Sequence, residues 1–215
     1  MPQYSGYLQV DDPQGLMDYH YWLATSESEH PEKDPVVLWM NGGPGASSLA
    51  YGSFSELGPY YLDDESMKNI THPGVPDVHE NPYSWSKITN MLFVEAPPSV
   101  GYSFCHNKDC RWNDTTQAVA NYAMLSKFFE EFPEYKKNDF YITGESYGGM
   151  YVPTLVEQIH HHGNQVNLKG FAVGNGIIGH QDSFPGAGGI HYEFLHNKAF
   201  ISDKLWYGAI QPAFR

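Results

Sequence analysis

The sequence has 215 residues, of which 41% are hydrophobic and 15% aromatic, a composition typical of one folded domain with a buried core. The formal net charge of −13 argues against nucleic acid as a partner, because phosphates require clustered Lys and Arg. The longest apolar runs, such as Val36–Met40, fall far short of the roughly 18 residues that span a bilayer. We therefore expect no membrane segment.

The N-terminal elements are predicted to be strands. Aromatic-rich runs at Tyr4–Val10 and Met17–Ala24 flank the turn residues Asp11–Gly15, which predicts an antiparallel hairpin. Continuous apolar runs at Val36–Met40 and Met91–Val94 are typical of strands covered on both faces.

From residue 115 onward the chain alternates between helices and strands. The predicted elements are a helix over Thr115–Phe132 that Pro133 ends, a strand over Phe140–Thr143, a helix reaching about His162 and a strand over Lys169–Val173. Hairpin first and alternation afterwards predict a mostly parallel sheet with an antiparallel edge. We expect residues 1–178 to form part of this core. Residues 179–215 contain no clear element and are expected to begin a cap or insertion over the sheet.

Two cysteines and two sequons bear on the compartment. Cys105 and Cys110 can either close a small disulfide loop or remain two free thiols. Since no second set of Cys or His ligands accompanies them, we expect no metal centre and no cofactor. Asn69 and Asn113 each begin an N-glycosylation sequon, which favours a secretory route. Because the chain enters its first strand almost directly, we expect that an export signal peptide was removed or never existed.

A Gly-x-Ser-x-Gly motif contains the candidate nucleophile. The segment Gly144–Gly148 follows a predicted strand and opens a predicted helix, which is the setting of a nucleophile elbow. The sharp turn requires small residues on both sides of Ser146, and the helix N-terminus favours developing negative charge. The alternative is a glycine-rich turn with an idle serine. The context favours Ser146 as the catalytic residue.

A second glycine-rich segment, Trp39–Ser48, begins where the strand Val36–Met40 ends. Glycines at this point let backbone N–H groups approach a ligand without obstruction from side chains. A loop in this position supplies one N–H group to an oxyanion hole, beside that of the residue after the nucleophile. This reasoning indicates Gly43 and Tyr147 as the donors. A tight Gly-Pro turn with no catalytic role is the alternative.

Further motifs accompany these two along nearly the whole chain. They are Leu38–Gly45 (LWMNGGPG), Glu56–Pro59 (ELGP), Asn81–Trp85 (NPYSW), Gly144–Gly149 (GESYGG), Tyr151–Pro153 (YVP), Gly174–Gly176 (GNG) and Ile201–Asp203 (ISD). Together they resemble the serine carboxypeptidase family, which includes lysosomal cathepsin A and the vacuolar enzymes of plants and yeast. The resemblance implies an α/β-hydrolase fold with a mostly parallel central sheet, an N-terminal antiparallel hairpin and helices on both faces. It also implies that the C-terminal strands and most of the cap are missing, and that the protein is lysosomal, vacuolar or secreted.

The resemblance also implies roles for individual residues in cleaving the last peptide bond of a peptide or protein. Ser146 would attack the carbonyl, and the backbone N–H groups of Gly43 and Tyr147 would hold the oxyanion. The residues implied in binding the substrate's C-terminal carboxylate are Asn41, the N–H of Gly42, and Glu145, supported by Trp39 and Glu56. Because neighbouring carboxylates cannot all ionise, activity should be best in acid. For Glu145 and Glu56 the alternative is an acidic side chain with no role.

Two segments depart from the family pattern. Ala46 stands where the family usually has Cys, so a disulfide that anchors this loop is absent or replaced. The segment Glu95–Gly101 differs from the usual run of small residues. Both departures concern the rigidity of the loops more than the mechanism.

The sequence offers no Asp and His to complete a catalytic triad with Ser146. In this fold they follow the nucleophile in chain order, after later strands, and only 69 residues follow Ser146. The histidines in this stretch are His160, His161, His162, His180, His191 and His196, and all six are expected to be surface or cap residues. We therefore expect a second polypeptide that carries the Asp and His, or a truncated chain. A homodimer is a further candidate assembly.

Three functional interpretations remain open at this stage. The leading one is a serine carboxypeptidase. The second is a relative that transfers acyl groups or cleaves hydroxynitriles; such plant relatives tend to carry Asp before the serine, so Glu145 favours the peptidase. The third is a non-catalytic protein that binds or protects a partner.

Overall fold

The computed structural model describes residues 1–68, 70–106, 110–163, 166–178 and 190–214. The chain divides into two compact units, Met1–Gly176 and Ile177–Arg215. Among the described residues, no helix combines the length and the apolar character that crossing a bilayer requires.

The first unit is built on a seven-stranded sheet. Its strands are β1 (Gln3–Asp12), β2 (Gly15–Ala24), β3 (Val36–Met40), β6 (Asn90–Val94), β7 (Phe104–Cys105), β8 (Phe140–Glu145) and β9 (Leu168–Gly174), while β4 (Tyr60–Tyr61) and β5 (His79–Glu80) form a separate pair. The sheet order is β1-β2-β6-β3-β8-β9, and β7 pairs with β2. Strands β6, β3, β8 and β9 run parallel, whereas β2 is antiparallel to its neighbours β1, β6 and β7. The predicted mostly parallel sheet with an antiparallel hairpin is confirmed.

The helices of this unit connect the parallel strands. They are the π-helix Ser48–Glu56, the 3-10 helices Asp64–Met67, Trp85–Lys87 and Pro133–Lys137, and the α-helices α1 (Asp114–Glu131) and α2 (Gly148–His161). Helix α1 begins with a capping box, in which the Asn113 side chain accepts from the N–H of Thr116 at 2.8 Å and the Thr116 hydroxyl accepts from the N–H of Asn113 at 3.1 Å. It ends before Pro133, which cannot continue a helix.

Alternating side chains of β3 divide the core between the two faces of the sheet. Val36, Leu38 and Met40 pack with residues of α1 and α2 in the larger cluster, so both long helices lie on one face. Val37 and Trp39 point to the opposite face. There the cover comes from residues such as Leu57, which follows the π-helix. Burial of one such Leu or Val side chain contributes roughly 1.5–3 kcal/mol, and the two clusters together fix the carboxyl end of β3.

The second unit contains short helices that the sequence pattern did not predict. They are α3 (Ile190–Asn197), α4 (Asp203–Leu205), the π-helix Trp206–Ile210 and the 3-10 helix Gln211–Phe214. Within this unit His196 stacks on Trp206 with ring centroids 5.1 Å apart, and its Nε2 lies 2.8 Å from Asp203 Oδ1. Local aromatic contacts thus stabilise turns that are too short to show a periodic pattern.

Candidate active site

The candidate nucleophile lies on a sharp turn between β8 and α2. Ser146 has φ +54, in the left-handed region that L-residues rarely adopt. A Cβ added at Gly144 would lie 2.5 Å from the Met40 carbonyl oxygen, and one added at Gly148 would lie 3.1 Å from the same atom. Glycine is therefore required before the serine and strongly favoured after it, because the turn packs directly on the end of β3.

Backbone hydrogen bonds hold the turn from both sides. The N–H of Ser146 donates to the Gly174 carbonyl at 3.0 Å, and the Ser146 carbonyl accepts from the N–H of Gly149 at 3.0 Å. The residue is half-buried, and its side chain stands at the N-terminus of α2. An oxyanion that formed beside it would meet the positive end of the helix dipole.

The loop after β3 packs against this turn. A Cβ added at Gly42 would lie 2.4 Å from the Tyr147 nitrogen and 2.8 Å from the Ser146 Cβ, distances that leave no room for a side chain. Gly43 has φ +106, which favours glycine. The loop thus brings the backbone of Gly42 to the elbow, with Gly43 next to it in the chain. This placement is compatible with Gly43 and Tyr147 as oxyanion donors, a role that stays a prediction.

A polar cluster lies beside the nucleophile, centred on the buried amide of Asn41. Its Nδ2 donates to Glu145 Oε1 at 3.1 Å and lies 3.3 Å from both carboxylate oxygens of Glu56. Its Oδ1 accepts from Trp39 Nε1 at 2.7 Å, and its backbone N–H donates to the Ser48 hydroxyl at 3.1 Å. The predicted residues Trp39, Glu56 and Glu145 therefore all contact the side chain of Asn41.

The two carboxyl groups of this cluster affect each other. Burial raises the pKa of Glu56 above the ordinary value for a glutamate, and the neighbouring Glu145 carboxylate raises it further. The hydrogen bond from Asn41 opposes this rise in pKa. Glu56 therefore keeps its proton to a higher pH than an exposed glutamate would.

The contacts that Gly52, Tyr151 and Asp114 make in the site were not predicted from the sequence. A Cβ added at Gly52 would lie 2.4 Å from Trp39 Cδ1 and 2.7 Å from Asn41 Oδ1, so only glycine lets the π-helix approach the amide. The Tyr151 hydroxyl accepts from the N–H of Gly45 at 3.3 Å. The Tyr147 hydroxyl donates to Asp114 Oδ1 at 2.7 Å. An isolated glycine in a helical segment is the one signal that could have indicated Gly52.

Both tyrosines remain neutral over the working range of most enzymes. Burial raises the pKa of Tyr147 and of Tyr151 to about 12, and the Asp114 carboxylate contributes to both shifts. Their hydroxyl groups therefore act as hydrogen-bonding groups, and the acceptor role of Tyr151 toward the loop does not depend on a phenolate.

The other predicted residues lie away from the nucleophile or outside the described part of the chain. Cys105 and Cys110 form a disulfide bond. Asn113 is exposed at the start of α1, whereas Asn69 lies outside the described residues. Among the described residues, no group of three or more His, Cys, Asp and Glu side chains could hold a metal ion.

The histidines after Ser146 lie at the end of α2, in the second unit or outside the described part of the chain. His160, His161 and His162 lie at the C-terminal end of α2, about 20 Å along the helix from its start. His162 stacks on Tyr122 with ring centroids 4.2 Å apart. His180 and the side chain of His191 lie outside the described part of the chain, and His196 contacts Asp203.

Comparison with known proteins gives a consistent result. A family model described as serine carboxypeptidase matches residues 1–211. Serine carboxypeptidase-like 26 of Arabidopsis thaliana is 40% identical over 208 residues, which cover 95% of this chain and 43% of that protein. The lysosomal protective protein of Mus musculus is 38% identical over 204 residues, which cover 95% of this chain and 39% of that protein. The chain thus spans about two fifths of the length of these relatives.

A solved structure supports the same relationship. A prohormone-processing carboxypeptidase from Saccharomyces cerevisiae superposes with a TM-score of 0.74 at 25% sequence identity, over 94% of this chain and 43% of that one. With the sheet order given above, this likeness confirms the predicted α/β-hydrolase fold, of which the chain forms part.

Proposed function

Because the chain belongs to the serine carboxypeptidase family, as its motifs predicted, we propose that it forms the nucleophile-bearing part of a serine carboxypeptidase. The enzyme would hydrolyse the C-terminal peptide bond of peptides and proteins through an acyl-enzyme on Ser146. The observation that carries this proposal is the contact of Asn41 with both Glu56 and Glu145 directly beside the elbow.

In the proposed reaction the Ser146 hydroxyl attacks the carbonyl carbon of the last peptide bond. A His takes the hydroxyl proton and passes it to the leaving amine, and an Asp orients that His. The backbone N–H groups of Gly43 and Tyr147 stabilise the oxyanion, aided by the N-terminus of α2. The amine departs as a free amino acid, and water then releases the acyl group from the serine.

The polar cluster accounts for cleavage at the C-terminus. The substrate's free carboxylate would accept hydrogen bonds from Asn41 and the N–H of Gly42, and a protonated Glu56 or Glu145 would donate another. An ionised pair would instead repel the substrate, since like charges at short range destabilise one another. The raised pKa of Glu56 supports activity that is best in acid.

The catalytic Asp and His are proposed to come from further polypeptide, either a second chain or a continuation of this one. In support, β9 is the last strand in the sheet order of the described residues. Beside it an apolar hollow of about 620 Å³ is lined by residues that include Val37, Ile88, Tyr141 and Phe171. Ile88 and Phe171 are exposed. An apolar surface of this kind is typical of a face that another segment covers. A homodimer is a separate proposal that the same material can test.

A lysosomal, vacuolar or secreted location fits this proposal. The disulfide Cys105–Cys110 is typical of oxidising compartments. Asn113 is exposed, and it caps α1 through Oδ1. An N-linked glycan attaches to Nδ2, so glycosylation at Asn113 is compatible with the cap. Mass spectrometry of the native protein would identify the glycan and any co-purifying polypeptide.

The test compares native protein with the variant Ser146→Ala. A fluorophosphonate probe should label the native protein at Ser146, and a blocked dipeptide with a free C-terminus should release its last residue. The same dipeptide with a C-terminal amide serves as the matched substrate and should react much more slowly. Equal rates on acid and amide would contradict a carboxypeptidase. Labelling with acyl transfer or hydroxynitrile cleavage in place of hydrolysis would favour the second interpretation, and absence of labelling in acid would favour a binding protein.

A further inference from the structure

Glu95 is a buried carboxyl group that the proposed chemistry does not use. It follows β6, and only 2% of its surface is exposed. A carboxylate buried to this extent is costly unless it is paired and hydrogen-bonded. An apolar side chain could fill the same space without that cost. The hydrogen-bond partners of Glu95 therefore indicate why a carboxylate occupies this position.

The partners are a backbone N–H group seven residues further along the same segment and side chains from two other segments. Oε2 accepts from the N–H of Tyr102 at 2.7 Å and lies 3.1 Å from His20 Nδ1 on β2. Oε1 accepts a short hydrogen bond from the Ser47 hydroxyl. Gly101 has φ +53, and a Cβ added there would overlap the carboxylate at 1.7 Å from Oε1. The segment from Glu95 to Tyr102 is therefore folded around this carboxylate.

Ser47 connects this carboxylate to the candidate active site. It is four residues beyond Gly43, in the loop that packs on the elbow. Its hydroxyl also accepts from the N–H of Ala50 at 3.0 Å and so caps the π-helix that ends at Glu56. One side chain thus joins the end of the loop to the start of the helix that carries Glu56.

We propose that Glu95 is a positioning residue for the Asn41–Ser47 loop. By accepting from Ser47 it fixes the end of the loop, while the Tyr151 hydroxyl, which accepts from the N–H of Gly45, fixes its middle. The N–H group of Gly43 is thereby kept at the distance from Ser146 that oxyanion stabilisation requires. A displacement of about 1 Å in such a group reduces rates by on the order of 100-fold. This inference rests on the proposed function.

The test uses the variants Glu95→Gln and Ser47→Ala in the full-length protein. Gln has the shape of Glu but one acceptor oxygen fewer, so it cannot accept from both the Ser47 hydroxyl and the N–H of Tyr102. We expect kcat and the rate of fluorophosphonate labelling to fall about 10- to 100-fold, while KM changes less than about threefold. Because the two residues share one contact, the loss in the double variant should be smaller than the sum of the losses in the single variants.

The matched control is Asp18→Asn. Like Glu95, Asp18 is a buried acidic residue. It lies on β2, where it accepts from Gln9 Nε2 at 3.0 Å and lies 2.7 Å from His106 Nε2. It should lower the melting temperature to a similar extent and leave kcat unchanged. If Glu95→Gln lowers the melting temperature but keeps kcat within about twofold of wild type, the positioning role is wrong.

Hydrogen exchange separates this inference from the proposed function. In both variants the amides of residues 41–47 should exchange faster than in wild type, whether or not the protein is a peptidase. Unchanged exchange and unchanged labelling in Ser47→Ala would overturn the inference, even if Glu95→Gln does not fold. If the wild-type protein hydrolyses no peptide, the proposed function is refuted. If the amides of the loop nevertheless exchange faster in both variants than in wild type, the anchoring role of Glu95 is supported.

Discussion

The two loops that meet at Ser146 are held in place by different means. The elbow Gly144–Gly148 is fixed by backbone packing on the Met40 carbonyl and by a strained φ at its centre. The loop from Asn41 to Ser47 is fixed by hydrogen bonds that it donates to the side chains of Ser48, Tyr151 and Glu95. The elbow should therefore tolerate almost no change in backbone shape, whereas the loop should lose its geometry by degrees as its anchors are removed.

Removal of the nucleophile should give the largest effect on activity. In Ser146→Ala we expect kcat to fall about 10⁴-fold or more, because no hydroxyl remains to form the acyl-enzyme. The melting temperature should change little, since Ala keeps the backbone of the elbow. Steady-state hydrolysis of a blocked dipeptide and calorimetry measure the two quantities. Residual hydrolysis near the wild-type rate would show that another group attacks the substrate.

A side chain between the two loops should give the next largest effect. A Cβ in Gly42→Ala would lie 2.4 Å from the Tyr147 nitrogen, so the loop or the elbow must move. We expect kcat to fall about 10²- to 10³-fold, the cost of losing one oxyanion donor. Gly208→Ala is the control, because an added Cβ there meets no described atom within 4 Å. Wild-type kcat in Gly42→Ala would refute the close contact of the loops.

The same contrast explains which parts of the site could be predicted from sequence. The elbow is contained in five consecutive residues, so Ser146 and its flanking glycines could be identified from the motif and its setting. The predicted strand and helix bounds agree with the structure to within about two residues for β3, β6, α1 and β9. The continuous apolar runs of β3 and β6 and the helical spacing of apolar residues in α1 agree with the burial of these elements in the fold.

The anchors of the Asn41–Ser47 loop could not be predicted in this way. Tyr151 reaches Gly45 from more than 100 positions along the chain, and Glu95 reaches Ser47 from 48 positions away. Neither contact leaves a local pattern, and both depend on the order of β6, β3 and β8 in the sheet. Glu95 was noticed only as part of a segment that departs from the family pattern. Short helices such as α3 were missed because eight residues carry too little periodicity.

Removal of the hydroxyl at position 151 should give a moderate effect. In Tyr151→Phe the N–H of Gly45 loses its acceptor, which costs about 0.5–1.5 kcal/mol. If the loss falls on the transition state, kcat/KM falls up to about tenfold. Tyr19→Phe is a matched control, since Tyr19 is buried on β2 and its hydroxyl contacts Asn121 at 3.5 Å, apart from the loop. Equal kcat/KM in the two variants would show that Tyr151 contributes only to packing.

The substitution Glu56→Gln should have the smallest effect on activity at acidic pH. As the pH rises, the variant should differ from wild type in stability and in KM. The raised pKa of Glu56 means that the wild-type protein binds this proton more tightly when folded. The resulting stability is fully present below the ordinary pKa of a glutamate and is lost as the pH rises through the raised value. In Glu56→Gln that loss is absent, so the variant should be more stable than wild type near neutral pH.

The same proton should govern substrate binding. In wild type, KM for a peptide with a free C-terminus should increase as Glu56 ionises, because its charge repels the substrate carboxylate. In Glu56→Gln we expect the increase in KM over this pH range to be severalfold smaller than in wild type, while kcat changes little. Glu157→Gln, at an exposed position of α2, should keep the wild-type profile. A pH profile of KM that is identical in Glu56→Gln and wild type would assign the acid dependence to another group, such as the catalytic His, and remove Glu56 from carboxylate recognition.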